Sequence, residues 1–244
     1  MTLIPIGIYG GFVRGRKGTC SFIIEEDGFH IAIDAGSGFL TGLDGICSHD
    51  DISALLISHE HADHIADAEM AAFGRLISIQ LGRPLPPLAV YGPEIPWLKS
   101  RLECRGSAVF SIVHDNEEFT IGPFTVIPYR MDHECICFGY LIKSSSGSVF
   151  YSADTAFSAA IASMIPHVDL MLAECSIYDR YGSGRPFGHM NGYETASFLG
   201  ISRPDRALLI HLPCYGDNDD LLEEVRKQYS GDVQLAECGR TYII

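Results

Sequence analysis

Apolar residues along the chain fall in short blocks between turn signals, and their spacing separates strands from helices. Residues 3–9, 19–25 and 29–34 are rich in β-branched and aromatic side chains and are predicted strands, with Asp27-Gly28 turning the second into the third. The unbroken apolar run at 54–58 predicts a strand covered on both faces. A helix is predicted at 63–73, and the proline-rich stretch 83–87 interrupts regular structure before a strand at 88–91. Four further strands are predicted at 109–113, 124–130, 137–143 and 148–152, the last two joined across Ser144-Ser145-Ser146-Gly147. Beyond Asp154, helices at 156–164, 192–199 and 219–229 alternate with strands at 170–173 and 207–210. Strand-rich sheets that carry helices predict a layered α/β architecture. No repeat and no linker-like segment interrupts the pattern, so residues 1–244 are expected to form a single domain.

Composition narrows the class. With 47% apolar and 20% charged residues, the 244-residue chain has the make-up of a globular domain. Its 31 acidic residues against 17 basic ones give a formal charge of −14, which counts against a broad grip on nucleic acid or anionic lipid. No apolar stretch approaches the roughly 18 residues of a membrane span. The first residues show no basic stretch ahead of their apolar run, so no secretory signal is expected. The eight cysteines are scattered with no CxxC pair, which predicts reduced thiols and a cytoplasmic setting.

The chemistry concentrates in Ser58-His59-Glu60-His61-Ala62-Asp63-His64, directly after the predicted strand at 54–58. Side chains alternate along an extended chain, so positions 59, 61 and 63 point to one side. His64, opening the predicted helix, can swing to the same point. Four nitrogen and oxygen donors converging at a strand end suit zinc or another borderline first-row metal. The alternative is a solvated polar loop, and a lone histidine pair would favour it; four donors at this spacing favour the metal.

His59-x-His61-x-Asp63-His64 resembles the HxHxDH signature of the metallo-β-lactamase-fold hydrolases. Three later single residues at predicted strand ends extend the resemblance: His133 after 124–130, Asp154 after 148–152, and His211 after 207–210. Upstream, Asp34-Ala35-Gly36-Ser37-Gly38 is similar to the family's DxGxG turn, so the likeness covers essentially the whole chain. It implies an α/β four-layer αββα sandwich with a dinuclear site at the loop ends of two sheets. It assigns His59, His61 and His133 to one metal, Asp63, His64 and His211 to a second, and Asp154 as a bridge. The all-nitrogen and oxygen set admits two divalent ions, with Zn2+ favoured by the histidine share and Mn2+ or Fe also accommodated. His61 stands where the family's flavodiiron oxygen reductases usually carry glutamate, which counts against that reaction.

Within the family the chain is most similar to the ribonuclease Z-like and phosphodiesterase branch. Three stretches carry this: Ile8-Tyr9-Gly10-Gly11 followed by Arg14 and Arg16, Leu88-Ala89-Val90-Tyr91-Gly92-Pro93, and Gly188-His189-Met190-Asn191 ahead of a helix. The resemblance makes His189 a candidate general acid or phosphate donor, with Glu174 placed to orient it. The competing readings are a histidine that packs against the next helix and a glutamate facing water. Asp34 is expected to hold the turn and the ligand loop by hydrogen bonds instead of touching metal. His133 and Asp154 are only 21 positions apart, most of them needed for two strands, so the RNA-gripping arm of a tRNA-processing relative has no room.

Arg14, Arg16, Lys17, Arg180 and Arg185 are the candidate cations at the mouth, able to hold one small phosphodiester, with solvated loop charges as the competing reading for each. The expected activity is therefore metal-dependent hydrolysis of a small-molecule phosphodiester such as a cyclic nucleotide, with Asp63 as the residue that orients or deprotonates the nucleophile. Hydrolysis of a lactone or thioester at the same metals is the rival enzyme reading. A non-catalytic metal- or metabolite-binding member is the rival from another class. A homodimer is compatible with the family, with no interface legible. His30, His49, His114 and His167 are expected on the surface or in packing, Trp97 as a packing anchor, and Cys135 and Cys137 as small buried residues of a strand.

Overall fold

A computed structural model describes residues 1–244. Seven strands come before the chain changes sheet: β1 (Thr2–Tyr9), β2 (Gly18–Thr19), β3 (Ser21–Glu26), β4 (Phe29–Ile33), β5 (Ile52–Leu56), β6 (Leu88–Gly92) and β7 (Ala108–Ile112). The second sheet follows as β8 (Phe119–Ile121), β9 (Phe124–Arg130), β10 (Phe138–Lys143), β11 (Ser148–Tyr151), β12 (Leu170–Glu174), β13 (Arg206–Ile210) and β14 (Asp232–Leu235). The last strand, β15 (Tyr242–Ile243), returns to pair with β1. The first sheet runs β15-β1-β3-β4-β5-β6-β7 with β2 beside β1, and the second runs β14-β13-β12-β11-β10-β9-β8.

Helices α1 (Phe39–Gly42), α2 (Ala62–Ile65), α3 (Ala68–Gln80) and α4 (Pro96–Leu102) belong to the first half of the chain; α5 (Ala159–Met164), α6 (Gly192–Ser202) and α7 (Asn218–Arg226) belong to the second. The cores show the layering. Leu3, Ile8, Phe22 and Ile24 of the first sheet meet Val126, Tyr140 and Phe150 of the second in one cluster, which also takes in Phe198, Leu221 and Val225 of the later helices. Ile6, Ile23, Leu55 and Val90 look the other way, onto Phe39, Ala72 and Leu98 of the early helices. The architecture is thus the four-layer αββα sandwich. No helix is long and apolar enough to cross a membrane.

Each sheet carries a parallel half, β4-β5-β6-β7 and β11-β12-β13-β14. Ligands gather at the carboxyl ends of such strands, where the connections leave backbone groups and side chains free. Local chemistry moves several predicted boundaries. The helix predicted at 63–73 is two helices, because the Asp67 N–H donates to Ala35 O at 2.8 Å while its carboxylate accepts from Leu40 N at 3.0 Å. The helix predicted at 156–164 starts only at Ala159, since Ala156 N is committed to Asp132 O and Ser158 supplies the cap. The predicted 192–199 runs on to Ser202 from an Asn191/Glu194 capping box. Short β8, β14 and β15, with α1, lay outside the predicted elements.

At the end of the sandwich away from those carboxyl ends, Glu26 ties the sheets together. Its carboxylate accepts from Ser144 and Ser146 hydroxyls at 2.7 Å and from Ser145 at 3.3 Å. The Ser144 hydroxyl is the largest influence, and with Ser146 and the Met1 ammonium it outweighs burial and pulls the carboxyl down to about 2. A folded value below the unfolded one, about 4.3, means stabilisation present above that pH and lost as pH falls toward 2. Glu26→Gln is expected to cost about 2 kcal/mol at pH 7, the scale of hydrogen bonds to a charged group. Thermal unfolding across pH should show this difference shrinking below about pH 4.

Candidate metal centre

Four connections bring the donors together. The chain leaves β5 extended through Ile57 and Ser58, which the second sheet grips: Tyr140 Oη donates to Ile57 O at 2.6 Å and Phe138 N to Ser58 O at 3.0 Å. His59, His61 and Asp63 follow, and His64 lies in α2. His133 comes from the β9–β10 loop, Asp154 from just beyond β11, and His211 from just beyond β13.

Each histidine has one ring nitrogen fixed by the protein and the other turned inward. His59 Nδ1 meets Ser58 Oγ at 2.9 Å, leaving Nε2 at 3.5 Å from Asp154 Oδ2. His133 Nδ1 donates to Gly188 O at 2.9 Å, and its Nε2 faces His61 Nδ1 at 3.2 Å, while His61 Nε2 meets Glu134 at 3.1 Å. His64 Nδ1 donates to Asp34 Oδ2 at 2.7 Å, and His211 Nδ1 meets Ser176 Oγ at 2.8 Å. Their Nε2 atoms both lie 3.3 Å from Asp154 Oδ2, and they stand 3.7 and 3.2 Å from Asp63 Oδ2. Asp154 thus stands between a group of three imidazoles and a group of two imidazoles with a carboxylate.

These residues fit metal ions on their own chemistry. His59 Nε2, His64 Nε2 and Asp154 Oδ1 are buried and have no hydrogen-bond partner. Buried polar atoms are ordinarily paired, so orphans from two separate connections, those after β5 and β11, are donors suited to a cation. Protonation states suit it too. Burial, with the charge of His64, pushes His59 down to about 4, which keeps its imidazole neutral. Burial alone would raise the Asp154 carboxyl, but His211, His64 and His59 outweigh it and hold Asp154 well below the usual carboxylate range.

The backbone around the cluster is tightly turned. Asp34, Ala153 and His211 all take left-handed φ, at 54°, 50° and 50°, a conformation that non-glycine residues hold only where surroundings enforce it. Asp34 touches none of the inward nitrogens. It accepts from Ser58 N, Ser58 Oγ, Tyr151 Oη and His64 Nδ1, so it ties the ligand loop to both sheets. Gly10 must be glycine for a packing reason, since a Cβ there would sit 2.3 Å from the His211 ring. Its neighbour Gly11 donates N–H to Asp63 Oδ2 at 2.6 Å.

His189 stacks on His211 with ring centroids 5.0 Å apart and donates from Nδ1 to Glu174 at 3.0 Å. Glu174 is fully buried, not facing water, and also accepts from Thr155 N and Ser176 Oγ. Burial would lower His189, but Glu174 outweighs it and raises the imidazole to about 9. Ser176, Tyr151 and Ser58 were not among the residues singled out from the sequence. The one signal for Ser176 was its place two residues after Glu174, on the same side of an extended chain.

The cations divide. Arg14, Arg16 and Lys17 line a cavity of about 870 Å³ with Leu212, Asn218 and Gln234, where the Arg14 guanidinium also donates to Gly216 O at 3.1 Å. Asp217, Asp219 and Glu237 line it as well. Arg180 instead stacks on Tyr178 at 4.2 Å, and Arg185 pairs with Asp132 at 3.2 Å, so both are engaged by the protein itself. The cysteines divide too. Cys137 is buried, but β10 begins only at Phe138, which leaves Cys135 in a loop and half-exposed instead of packed in a strand.

A family model for the β-lactamase superfamily domain matches residues 30–212, a span that holds all seven inward donors and excludes Arg14 and Arg16. The chain is 29% identical over 245 residues to the probable metallo-hydrolase YhfI of Bacillus subtilis (strain 168), covering 98% of each. The crystal structure of that metallo-β-lactamase-fold protein superposes with a TM-score of 0.92 at 27% identity, over 99% of this chain and 98% of that one. Human tRNase Z, short form, gives a TM-score of 0.77 at 18% identity, covering 100% and 99%. A diphosphatase of the PhnP family gives 0.75 at 19%, covering 100% and 97%. The chain belongs to the β-lactamase superfamily and has the metallo-β-lactamase fold.

Proposed function

We propose that this superfamily member is a dinuclear metal-dependent hydrolase of small phosphodiesters, such as cyclic nucleotides. The observation that carries the reading is Asp154 lying between the two donor groups, with the Glu174–His189 pair stacked on His211 at the edge of the second. His59, His61 and His133 would hold one ion and Asp63, His64 and His211 the other, with Asp154 shared; five imidazoles favour Zn2+ over Mn2+ or Fe. When bound, two such ions supply Lewis acidity and an acidified water.

The chain's own groups supply the rest. Asp63, held by the Gly11 N–H, is placed to orient the attacking water and accept its proton. His189, its Nδ1 proton held by Glu174, presents its other nitrogen to the phosphoryl group or the leaving oxygen as a donor. Arg14, Arg16 and Lys17 provide charge-assisted hydrogen bonds for phosphate oxygens. The acidic residues on the same cavity keep the net field weak, which suits a small ligand better than a polymer.

The stretch from His133 to Asp154 is consumed by β10, β11 and their turn, leaving no arm for RNA. Eight free thiols suit a reducing compartment such as the cytoplasm. Proteins of the same fold include a tRNase and a diphosphatase, whose substrates are phosphorus esters and anhydrides.

The test is a substrate panel on the metal-loaded protein: cyclic nucleotides and bis(p-nitrophenyl) phosphate beside a lactone and a thioester. Phosphodiester turnover is expected, and the Arg14→Ala/Arg16→Ala double variant should raise KM for the nucleotides about tenfold or more with kcat nearly kept. Turnover confined to acyl substrates, indifferent to the two arginines, would refute the reading and favour lactone or thioester hydrolysis.

A further inference from the structure

We propose that Cys135 is a fourth protein donor to the ion held by His59, His61 and His133, making that position a thiolate-bearing site selective for soft metals. This rests on the metal reading of the centre. The Cys135 sulfur and one nitrogen from each of the three histidines all lie within 4.8 Å of one another. Three imidazoles and one sulfur are donors of the kind that zinc takes, and the shared Asp154 carboxylate completes the set around that ion.

A second observation is independent of the cysteine: His59, one of those three histidines, has Nδ1 engaged by Ser58 and keeps a fully buried Nε2 without a partner. The loop holding the sulfur is pinned at its base, where Met131 N donates to Cys137 O at 3.0 Å and Ala156 N to Asp132 O at 2.8 Å. The other nearby thiols are placed differently. Cys137 is fully buried and directs its sulfur at Asp154 O, 3.4 Å away. Cys20 is fully buried and lies with His64 and His211, not with the three histidines of this ion.

On binding, the thiol proton leaves to solvent at the half-exposed loop and a sulfur–metal bond forms. Two consequences follow. The ion held by the three histidines loses an open position, so it serves more as a structural and electrostatic partner, and the open coordination falls to the ion beside Asp63. The sulfur also biases the first position toward zinc or cadmium and away from manganese, since thiolate prefers soft ions.

The experiment is optical absorption of the protein loaded with two equivalents of Co2+, compared with Cys135→Ser and Cys20→Ser. A near-ultraviolet thiolate-to-cobalt charge-transfer band is expected in the parent and in Cys20→Ser. It should vanish in Cys135→Ser while the visible d–d bands persist, which shows that the variant is folded and still binds metal. Competition between Cd2+ and Mn2+ should shift at least about tenfold toward Mn2+ in Cys135→Ser. Cobalt bound without the charge-transfer band, or a band that survives Cys135→Ser, would overturn the thiolate and leave the histidine and carboxylate donors standing. Failure to bind cobalt at all would overturn both.

Discussion

Asp154→Ala is expected to lower phosphodiester turnover at least about a thousandfold and to reduce bound metal from two ions per chain to one or fewer. The carboxylate faces His59, His64 and His211 at 3.3 to 3.5 Å, so its loss removes the one charge shared by both donor groups. Two ions contribute several kcal/mol of charge stabilisation in a displacement, and about 1.4 kcal/mol corresponds to tenfold in rate. Folding should survive, because no hydrogen bond ties the Asp154 side chain to the surrounding fold: Oδ1 has no partner and Oδ2 faces the imidazoles of the cluster. Elemental analysis, turnover and thermal unfolding of Asp154→Ala and Asp154→Asn together check this. Full metal occupancy in the alanine variant would show that Asp154 does not bridge.

His189→Ala should separate substrates by their leaving groups. A general acid contributes about 10²–10⁴ where the departing oxygen must be protonated. For a nucleotide ester, whose leaving alkoxide is strongly basic, kcat is expected to fall by that range. For bis(p-nitrophenyl) phosphate, whose leaving phenolate is stable without a proton, the fall should be less than about tenfold. Glu174→Gln should follow the same split, because Glu174 is what holds His189 protonated and oriented. An equal loss on both substrates would assign His189 to phosphate binding alone. Unchanged kinetics would return it to packing against His211.

The convergence of these seven side chains was legible because they are local in sequence or sit at strand ends. His59 to His64 announce themselves by spacing, and His133, Asp154 and His211 each follow a strand that apolar pattern alone locates. What holds those donors in place was much less legible. Ser176 reaches His211, Tyr151 reaches Asp34, and Gly10 makes room for the His211 ring, all across long sequence separations that only the packed sandwich creates.

The same limit applied to charge. Arg185 carries the composition of a phosphate-binding loop, yet the remote Asp132 occupies it, which nothing local reveals; Arg180 is occupied by its own neighbours Tyr178 and Tyr181, a local signal that the charge alone concealed. Among the elements, β14 and β15 were missed because they are short and stand at or near a sheet edge, where pairing rather than apolar content defines them. The helix break at Asp67 was missed because its cause, the Ala35 carbonyl, lies 32 residues upstream.

The most direct measurement is turnover of bis(p-nitrophenyl) phosphate by the metal-stripped protein as Zn2+ is returned. The predicted result is no turnover after chelation, a rise on addition of zinc, and a plateau at two ions per chain. Two ions bound with no turnover of this or any other phosphodiester, or turnover that chelation leaves untouched, would contradict the account.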